Sequence, residues 1–320
     1  MRALVTGCAG FIGSHLAESL LADGHTVVGA DCLLGNYPAA DKLANLEGLT
    51  AAAAFELVRA DLSSDPLAAL VDGCDPVFHL AGEPGVRTSW GRPFGSYVRN
   101  NVVATQRLLE AVRTVPGTRF VYASSSSVYG DAPRLPTPEE TAPAPASPYA
   151  VTKLAGEQLV ETYRDAFGID AVVLRYFSAY GPRQRPDMAF HRFCCAALAG
   201  DPVVVFGDGR QTRDFTYVDD IVRATRAAAT TQGAGGATLN VGGGARVSVN
   251  DTLRVLRDLL GEPLDVRRVA RERGDVHHTG ADIRRAGAIL RFRPATPFAE
   301  GLRREMEWVR TRTQVRAHGG

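Results

Sequence analysis

The sequence predicts an α/β protein, a doubly wound parallel sheet followed by a smaller and less regular C-terminal lobe. Three observations carry that expectation. Short apolar runs alternate with helix-forming stretches through residues 1–175. The first run leads directly into a glycine triplet, Gly7, Gly10 and Gly13. The second run ends on a carboxylate, Asp31.

Each element follows in chain order. Ala3-Leu-Val5 is the first strand, and a helix runs from Ser14 to Ala22 after the loop Thr6-Gly7-Cys-Ala-Gly10-Phe11-Ile12-Gly13. Strand, glycine turn and helix together are the context of a dinucleotide site, in which helix N-terminal amides meet a pyrophosphate. The spacing here is Gly-x-x-Gly-x-x-Gly, so the triplet alone is weak evidence. Thr26-Val-Val-Gly-Ala30 is the second strand, and Asp31 lies 18 residues beyond Gly13. A carboxylate there accepts ribose hydroxyls and repels a 2′-phosphate, which selects NAD over NADP.

Phe55-Glu-Leu-Val-Arg is a third strand ending at Asp61-Leu62. Asp75-Pro-Val-Phe-His-Leu80 is a fourth, ending in Ala81-Gly82-Glu83. A helix from Asn101 to Val112 precedes a fifth strand, Arg119-Phe-Val-Tyr-Ala123, which runs into Ser124-Ser125-Ser126-Ser127. Ser147-Pro-Tyr149 opens a long helix to about Phe167, because Pro148 suits a first helical turn. A sixth strand spans Gly168 to Leu174. Apolar centres in alternating strands imply a parallel sheet covered on both faces, with ligands at the carboxyl ends of the strands. Gly7, Asp31, Glu83, Ser125 and Tyr176 all fall there.

On the long helix Tyr149 and Lys153 are four residues apart and share a face. A cation beside a phenol favours phenolate, and a phenolate can take a hydroxyl proton while hydride leaves the same carbon. The bland alternative, a solvated Tyr-x-x-x-Lys face, is what such a pair means in most sequences. The surrounding motifs weigh against it here.

From residue 176 onward proline and glycine thicken, marking the smaller lobe. Val203-Val-Val-Phe206 and Leu264 to Val269 are strands, and helices cover Val218 to Ala229, Val249 to Leu260 and Phe298 to Thr311. Ala237-Thr-Leu-Asn-Val241 is a strand, and the segment 215–242 is expected to return to the main sheet.

Composition sets the remaining bounds. In 320 residues there are 36 basic and 35 acidic side chains, so the net charge of +1 offers nothing to nucleic acid or an acidic membrane. The N-terminus runs straight into a strand without a signal peptide, and no apolar run approaches the ~20 residues of a membrane span. The five cysteines (Cys8, Cys32, Cys74, Cys194, Cys195) form no Cys-x-x-Cys pair. His277-His278 lacks a third ligand at a supporting spacing, so no metal is expected. A cytoplasmic enzyme is the expectation.

The motifs together resemble the extended short-chain dehydrogenase/reductase superfamily, in its branch of NAD-dependent NDP-sugar epimerases and dehydratases. They run almost end to end: Thr6-Gly7-x-x-Gly10-x-x-Gly13, His79-Leu-Ala-Gly-Glu83-Pro-Gly-Val-Arg87, Ser125-Ser-Ser-Val-Tyr-Gly130, Tyr149-x-x-x-Lys153, Gly207-Asp-Gly and Gln211-Thr-Arg213-Asp-Phe-Thr-Tyr-Val-Asp-Asp220. The resemblance implies a Rossmann-like fold with NAD held by Gly7, Gly10, Phe11, Ile12, Gly13, Asp31, Asp61, Leu62, Leu80, Ala81, Gly82, Asn101, Ser124 and Tyr176. It implies Tyr149 as base, Lys153 on the nicotinamide ribose, and Ser125 on the sugar 4-hydroxyl. The UDP-sugar would meet Glu83, Arg87, Ser126, Ser178, Met188, Phe190, Phe206, Arg213 and Thr279, and Arg271 or Arg273 would reach the phosphates. A homodimer through the 102–112 and 154–167 helices is the family expectation.

Departures from the branch's patterns bear on the reaction. Ser126-Ser127 stands where sugar 4,6-dehydratases carry Asp-Glu, while Glu83 stands where many 4-epimerases carry glutamine. Ser178 replaces an asparagine near the sugar, and the small Thr279 leaves room for an N-acetyl group. That mixture resembles the UDP-N-acetylglucosamine 5,6-dehydratases of tunicamycin-type nucleoside antibiotic biosynthesis, with Glu83 as acid–base group. The alternative is a UDP-glucose or UDP-N-acetylglucosamine 4-epimerase. A catalytically silent NAD sensor is the rival from another class, and it has no use for Ser125, Tyr149 and Lys153 together.

Overall fold

The computed structural model describes residues 1–270 and 276–318. Seven parallel strands form the main sheet: β1 (Arg2–Thr6), β2 (Thr26–Asp31), β3 (Phe55–Arg59), β4 (Val77–His79), β5 (Arg119–Ser125), β6 (Asp170–Tyr176) and β7 (Thr238–Val241). Their spatial order is β7-β6-β5-β4-β1-β2-β3. The central strands are buried on both faces, as their continuous apolar runs require.

Five long helices cover the sheet: α1 (Phe11–Ala22), α2 (Ala39–Thr50), α3 (Ala104–Val112), α4 (Pro148–Phe167) and, after the chain has left the sheet and returned, a helix at Val218–Thr230. Leu16, Ala17 and Leu20 of α1, Leu46 and Leu49 of α2, and Ile221, Val222 and Ala228 share one core. Leu108, Leu109 and Val112 of α3 and Val160 and Tyr163 of α4 belong to the core on the opposite face. The sheet is therefore doubly wound, and its direction of winding changes between β1 and β4, where a ligand crevice is expected.

The lobe has an aromatic core. Phe190 and Phe215 lie with ring centroids 4.4 Å apart, and Tyr180 and Phe298 pack around them. A helix at Ala189–Ala199 packs on the strand Val203–Phe206, which pairs in parallel with Val266–Val269, and the closing helix Phe298–His318 packs on that helix.

The structure adds elements the sequence left unmarked. α2 was not expected, because polar Lys42 and Asn45 are buried inside it and blur its apolar stripe. α1 begins at Phe11 rather than Ser14, since Gly10 serves as its N-cap. The helix expected from Asn101 starts at Phe94 and passes through a π-helical turn at Val98–Val103 before α3. A short helix at Arg284–Leu290 also joins the sheet core. Among the described residues no helix is long and apolar enough to cross a membrane.

Candidate active site

A cleft of about 460 Å³ opens at the carboxyl ends of the strands. It is built first from the turn after β1. The Gly7 amide donates to the Ala30 carbonyl at 2.7 Å and the Gly10 amide to the Gly7 carbonyl at 3.0 Å, folding the loop back on itself. A Cβ at Gly13 would collide with that Gly7 carbonyl, so the close approach of helix to loop demands glycine. No side chain caps α1, which leaves first-turn amides for an anion. Asp31 closes the far end. Its two oxygens accept the Leu33 amide at 2.7 Å and the Ala9 amide at 3.1 Å, orienting the carboxylate on the cleft wall. A glycine cradle, an uncapped helix end and an oriented carboxylate fit a dinucleotide with free ribose hydroxyls. NADP should therefore bind roughly tenfold or more weakly than NAD, since its 2′-phosphate would meet a like charge. Competitive titration checks this, and a tighter NADP would overturn the role given to Asp31.

The second wall comes from α4. Ser147 caps it by accepting the Ala150 amide at 3.2 Å, and Pro148 occupies the first turn. Tyr149 and Lys153 both line the cleft, Tyr149 half-buried and Lys153 buried. Burial pushes the Tyr149 phenol above its ordinary range, while a hydrogen bond with Ser125 and the positive charge of Arg185 pull it back. Lys153 is pushed down to about 8 by burial, against an opposing pull from Glu157. Arg185 is thus a further cation acting on Tyr149, and the Lys153 ammonium lies 4.9 Å from the Tyr122 ring centroid. Ser125 also donates to Ser127 Oγ at 3.0 Å and accepts the Ser127 amide at 3.1 Å, so hydroxyls run from Tyr149 along the serine turn.

The third wall is the loop after β4. Asn101 accepts the Glu83 amide at 2.6 Å and donates to the Glu83 carbonyl at 3.0 Å. Its neighbour Asn100 donates to the Glu83 carboxylate at 2.9 Å, and Ser96 donates to the same oxygen. The π-helical turn lets these adjacent asparagines serve one residue, a known use of such turns at functional sites. Tyr97 completes the support. Its hydroxyl reaches the Pro84 and Gly85 carbonyls at 3.1 Å, and its ring packs edge-on against Tyr149 at 6.3 Å.

Most residues expected from the sequence meet in this cleft. Gly7, Gly10, Phe11, Ile12, Gly13, Asp31, Asp61, Leu62, Leu80, Ala81, Gly82, Glu83, Asn101, Ser124, Ser125, Ser126, Tyr149, Lys153, Tyr176, Ser178, Met188, Arg213 and Thr279 all line it. Three do not. Phe190 is sealed in the aromatic core of the lobe, and Arg87 stacks on Phe206, its guanidinium 4.2 Å from the ring centroid. Arg192 approaches the same ring at 5.7 Å. Arg271 and Arg273 lie outside the described residues. His278 hydrogen-bonds Thr212 at 2.9 Å rather than joining a ligand cluster.

Sequence reasoning overlooked Arg185, Tyr37 and Lys42, which also line the cleft. The run Pro182-Arg-Gln-Arg-Pro186 held the signal for Arg185, since it follows the end of β6. Arg183, in a left-handed conformation, turns away to Glu18 at 2.6 Å and Ser14 at 3.2 Å, leaving Arg185 to face the cleft.

Residues 3–242 match the NAD dependent epimerase/dehydratase family. The chain belongs to this family. It is thus an enzyme of the NAD-dependent NDP-sugar epimerase/dehydratase group, and NAD is its cofactor. A UDP-glucose epimerase of Bacillus subtilis, YtcB, described as uncharacterized, is 44% identical over 97% of this chain and 98% of its own length. A UDP-glucuronic acid 4-epimerase from Bacillus cereus, in complex with UDP-glucuronic acid and NAD, superposes with a TM-score of 0.95 at 43% identity, covering 97% of this chain and 99% of that one. TunA, an NDP-hexosamine 5,6-dehydratase of tunicamycin biosynthesis, gives 0.86 at 30% identity, covering 97% and 98%.

Proposed function

We propose that this family enzyme is a UDP-sugar 4-epimerase whose substrate is UDP-glucuronate. The observation that carries the substrate is Arg185. Its Nε and Nη2 bond Asp187 at 3.0 and 2.8 Å, and its charge acts on the Tyr149 phenol. A cation that acts on the reacting phenol and lines the same cleft as the hydroxyls of Ser126, Ser127 and Ser178 suits a sugar carrying a carboxylate at C6. N-acetylglucosamine offers that arginine no partner. The relatives that act on UDP-glucuronate support the same choice.

NAD, when bound, supplies the two-electron acceptor that takes the C4 hydrogen as hydride and returns it. The chain's residues handle the proton. Ser125 holds the sugar's C4 oxygen and the Tyr149 hydroxyl together, and Tyr149 takes the C4 hydroxyl proton. The Lys153 ammonium favours the phenolate through the ribose hydroxyls it holds. The resulting 4-keto sugar turns within the cleft and presents its other face, and Tyr149 returns the proton on that side. No atoms are gained or lost.

A 5,6-dehydratase would need an acid and a base at C5 and C6. Of the carboxylates on the cleft wall among the described residues, Asp31 and Asp61 belong to the adenosine end, and Glu83 is held by Ser96 and Asn100. Glu83 thus shapes its loop. Glu83→Gln, which keeps the acceptor oxygen for Asn100, should leave 4-epimerisation within about tenfold of wild type, a change typical of lost positioning rather than lost acid–base chemistry. Mass spectrometry of products from UDP-glucuronate, UDP-glucose and UDP-N-acetylglucosamine tests the proposal. An isobaric epimer from UDP-glucuronate supports it; loss of ~18 Da, one water by elementary stoichiometry, would restore the dehydratase reading. The proposal includes a cytoplasmic homodimer packed through α3 and α4, around which Val103, Val151 and Phe167 are exposed.

A further inference from the structure

We propose that Glu157, which does not line the cleft, is a positioning residue for the reaction: its carboxylate keeps Lys153 protonated and fixes the strand end that carries Ser124 and Ser125. The proposal rests on Tyr149 and Lys153 performing the proton transfer described above.

Glu157 follows Lys153 by one helical turn on α4, on the same face. It is 1% exposed. One oxygen accepts the hydroxyl of Ser124, which lines the cleft immediately before Ser125. The other accepts Arg175 Nη2 at 2.6 Å, and Arg175 Nε spans both oxygens at 3.0 and 3.2 Å. A single carboxylate therefore ties α4 to β5 and, through Arg175, to β6. The neighbouring Gly156 permits this, because a Cβ there would collide with the Tyr122 hydroxyl and hold the helix off the sheet. Arg175 continues the tie to the Tyr129 hydroxyl at 2.8 Å, which in turn donates to Asn240 of β7 at 2.8 Å.

The charges around Lys153 give the carboxylate its second role. On α4 the ammonium is flanked by Tyr149 and Glu157. From β5 it meets the Tyr122 ring, and from β4 it acts on His79, which burial and the Lys153 charge hold at about 3 and so neutral. From the loop side its nitrogen lies 3.9 Å from where a Cβ at Gly82 would sit. Burial favours the neutral amine, and Glu157 is the negative charge that opposes it.

The test is the pH dependence of kcat for the NAD-loaded enzyme on UDP-glucuronate, with Glu157→Gln and the charge-neutral double variant Glu157→Gln/Arg175→Gln. Glutamine keeps an acceptor for Ser124 and removes the charge. In both variants the alkaline limb should move to lower pH by about one unit, so that the deficit grows about tenfold between neutral and alkaline pH. Should Glu157→Gln alone fail to fold around an unpaired Arg175, the double variant carries the measurement. A lowered rate with an unmoved alkaline limb would overturn the proposal, reducing Glu157 to a structural tie. Wild-type enzyme inert on every UDP-sugar would instead overturn the functional reading, and this proposal with it.

Discussion

Tyr149→Phe should lower kcat by roughly 10²–10⁴-fold, the usual contribution of a positioned acid–base group, while UDP-sugar binding stays nearly intact. The ring fills a protein-lined position against Tyr97, and phenylalanine preserves that contact. What disappears is the oxygen proposed to exchange protons with C4, which also hydrogen-bonds with Ser125. Ser125 keeps its bond to Ser127, so the serine turn should hold its shape. Turnover and calorimetric binding measured on the same preparation separate the two effects. Activity within a few-fold of wild type would mean that another group moves the proton, and the hydroxyl chain beyond Ser125 would be the place to seek it.

The parts of this protein that were legible in its sequence are those where backbone chemistry dictates residue type. The glycine turn demands Gly13 because helix and loop touch, and Asp31 ends a strand whose apolar run is unmistakable. Ser147-Pro148 starts α4 by capping and fixed φ, so Tyr149 and Lys153 could be placed on one face. What escaped notice is set by tertiary packing. α2 buries Lys42, whose ammonium donates to the Leu34 carbonyl at 2.5 Å and covers the Tyr37 ring, so a polar residue occupies a core position. Arg185, a further cation acting on the Tyr149 phenol, comes from a loop distant in sequence, and spacing along one helix cannot report such a partner. Phe190 illustrates the converse, an aromatic residue near the substrate loop whose ring turns into the lobe's own core.

The dehydratase expectation has only distant support, from TunA at 30% identity. It rested on the type of residue at position 83, a carboxylate where many epimerases have an amide. In the folded chain that carboxylate accepts Asn100 and Ser96, and its backbone is bonded twice to Asn101. Those bonds fit the loop-holding role proposed for it. The same physical reading gives Arg185 its weight, since it is a cation facing the cleft from a loop that the sequence left unassigned.

Arg185→Ala should therefore lower kcat/KM for UDP-glucuronate by roughly 10- to 100-fold, the worth of a hydrogen bond to a charged partner. UDP-glucose, which has a hydroxyl at C6, should lose far less. Two side effects need separating from this loss. Arg185 also pulls down the Tyr149 phenol, so its removal should push that phenol up and shift the acid limb of the pH profile for both substrates. Assays of both substrates at one pH, reported as the ratio of the two, cancel the shared effect. Asp187, bonded to Arg185 at 2.8 Å, would also lose its counter-charge. The variant Arg185→Ala/Asp187→Ala removes it: UDP-glucuronate should still be the substrate that suffers, because its carboxylate has lost a counter-charge. An equal loss for both substrates in that double variant would sink the glucuronate assignment while leaving 4-epimerisation by Tyr149 untouched.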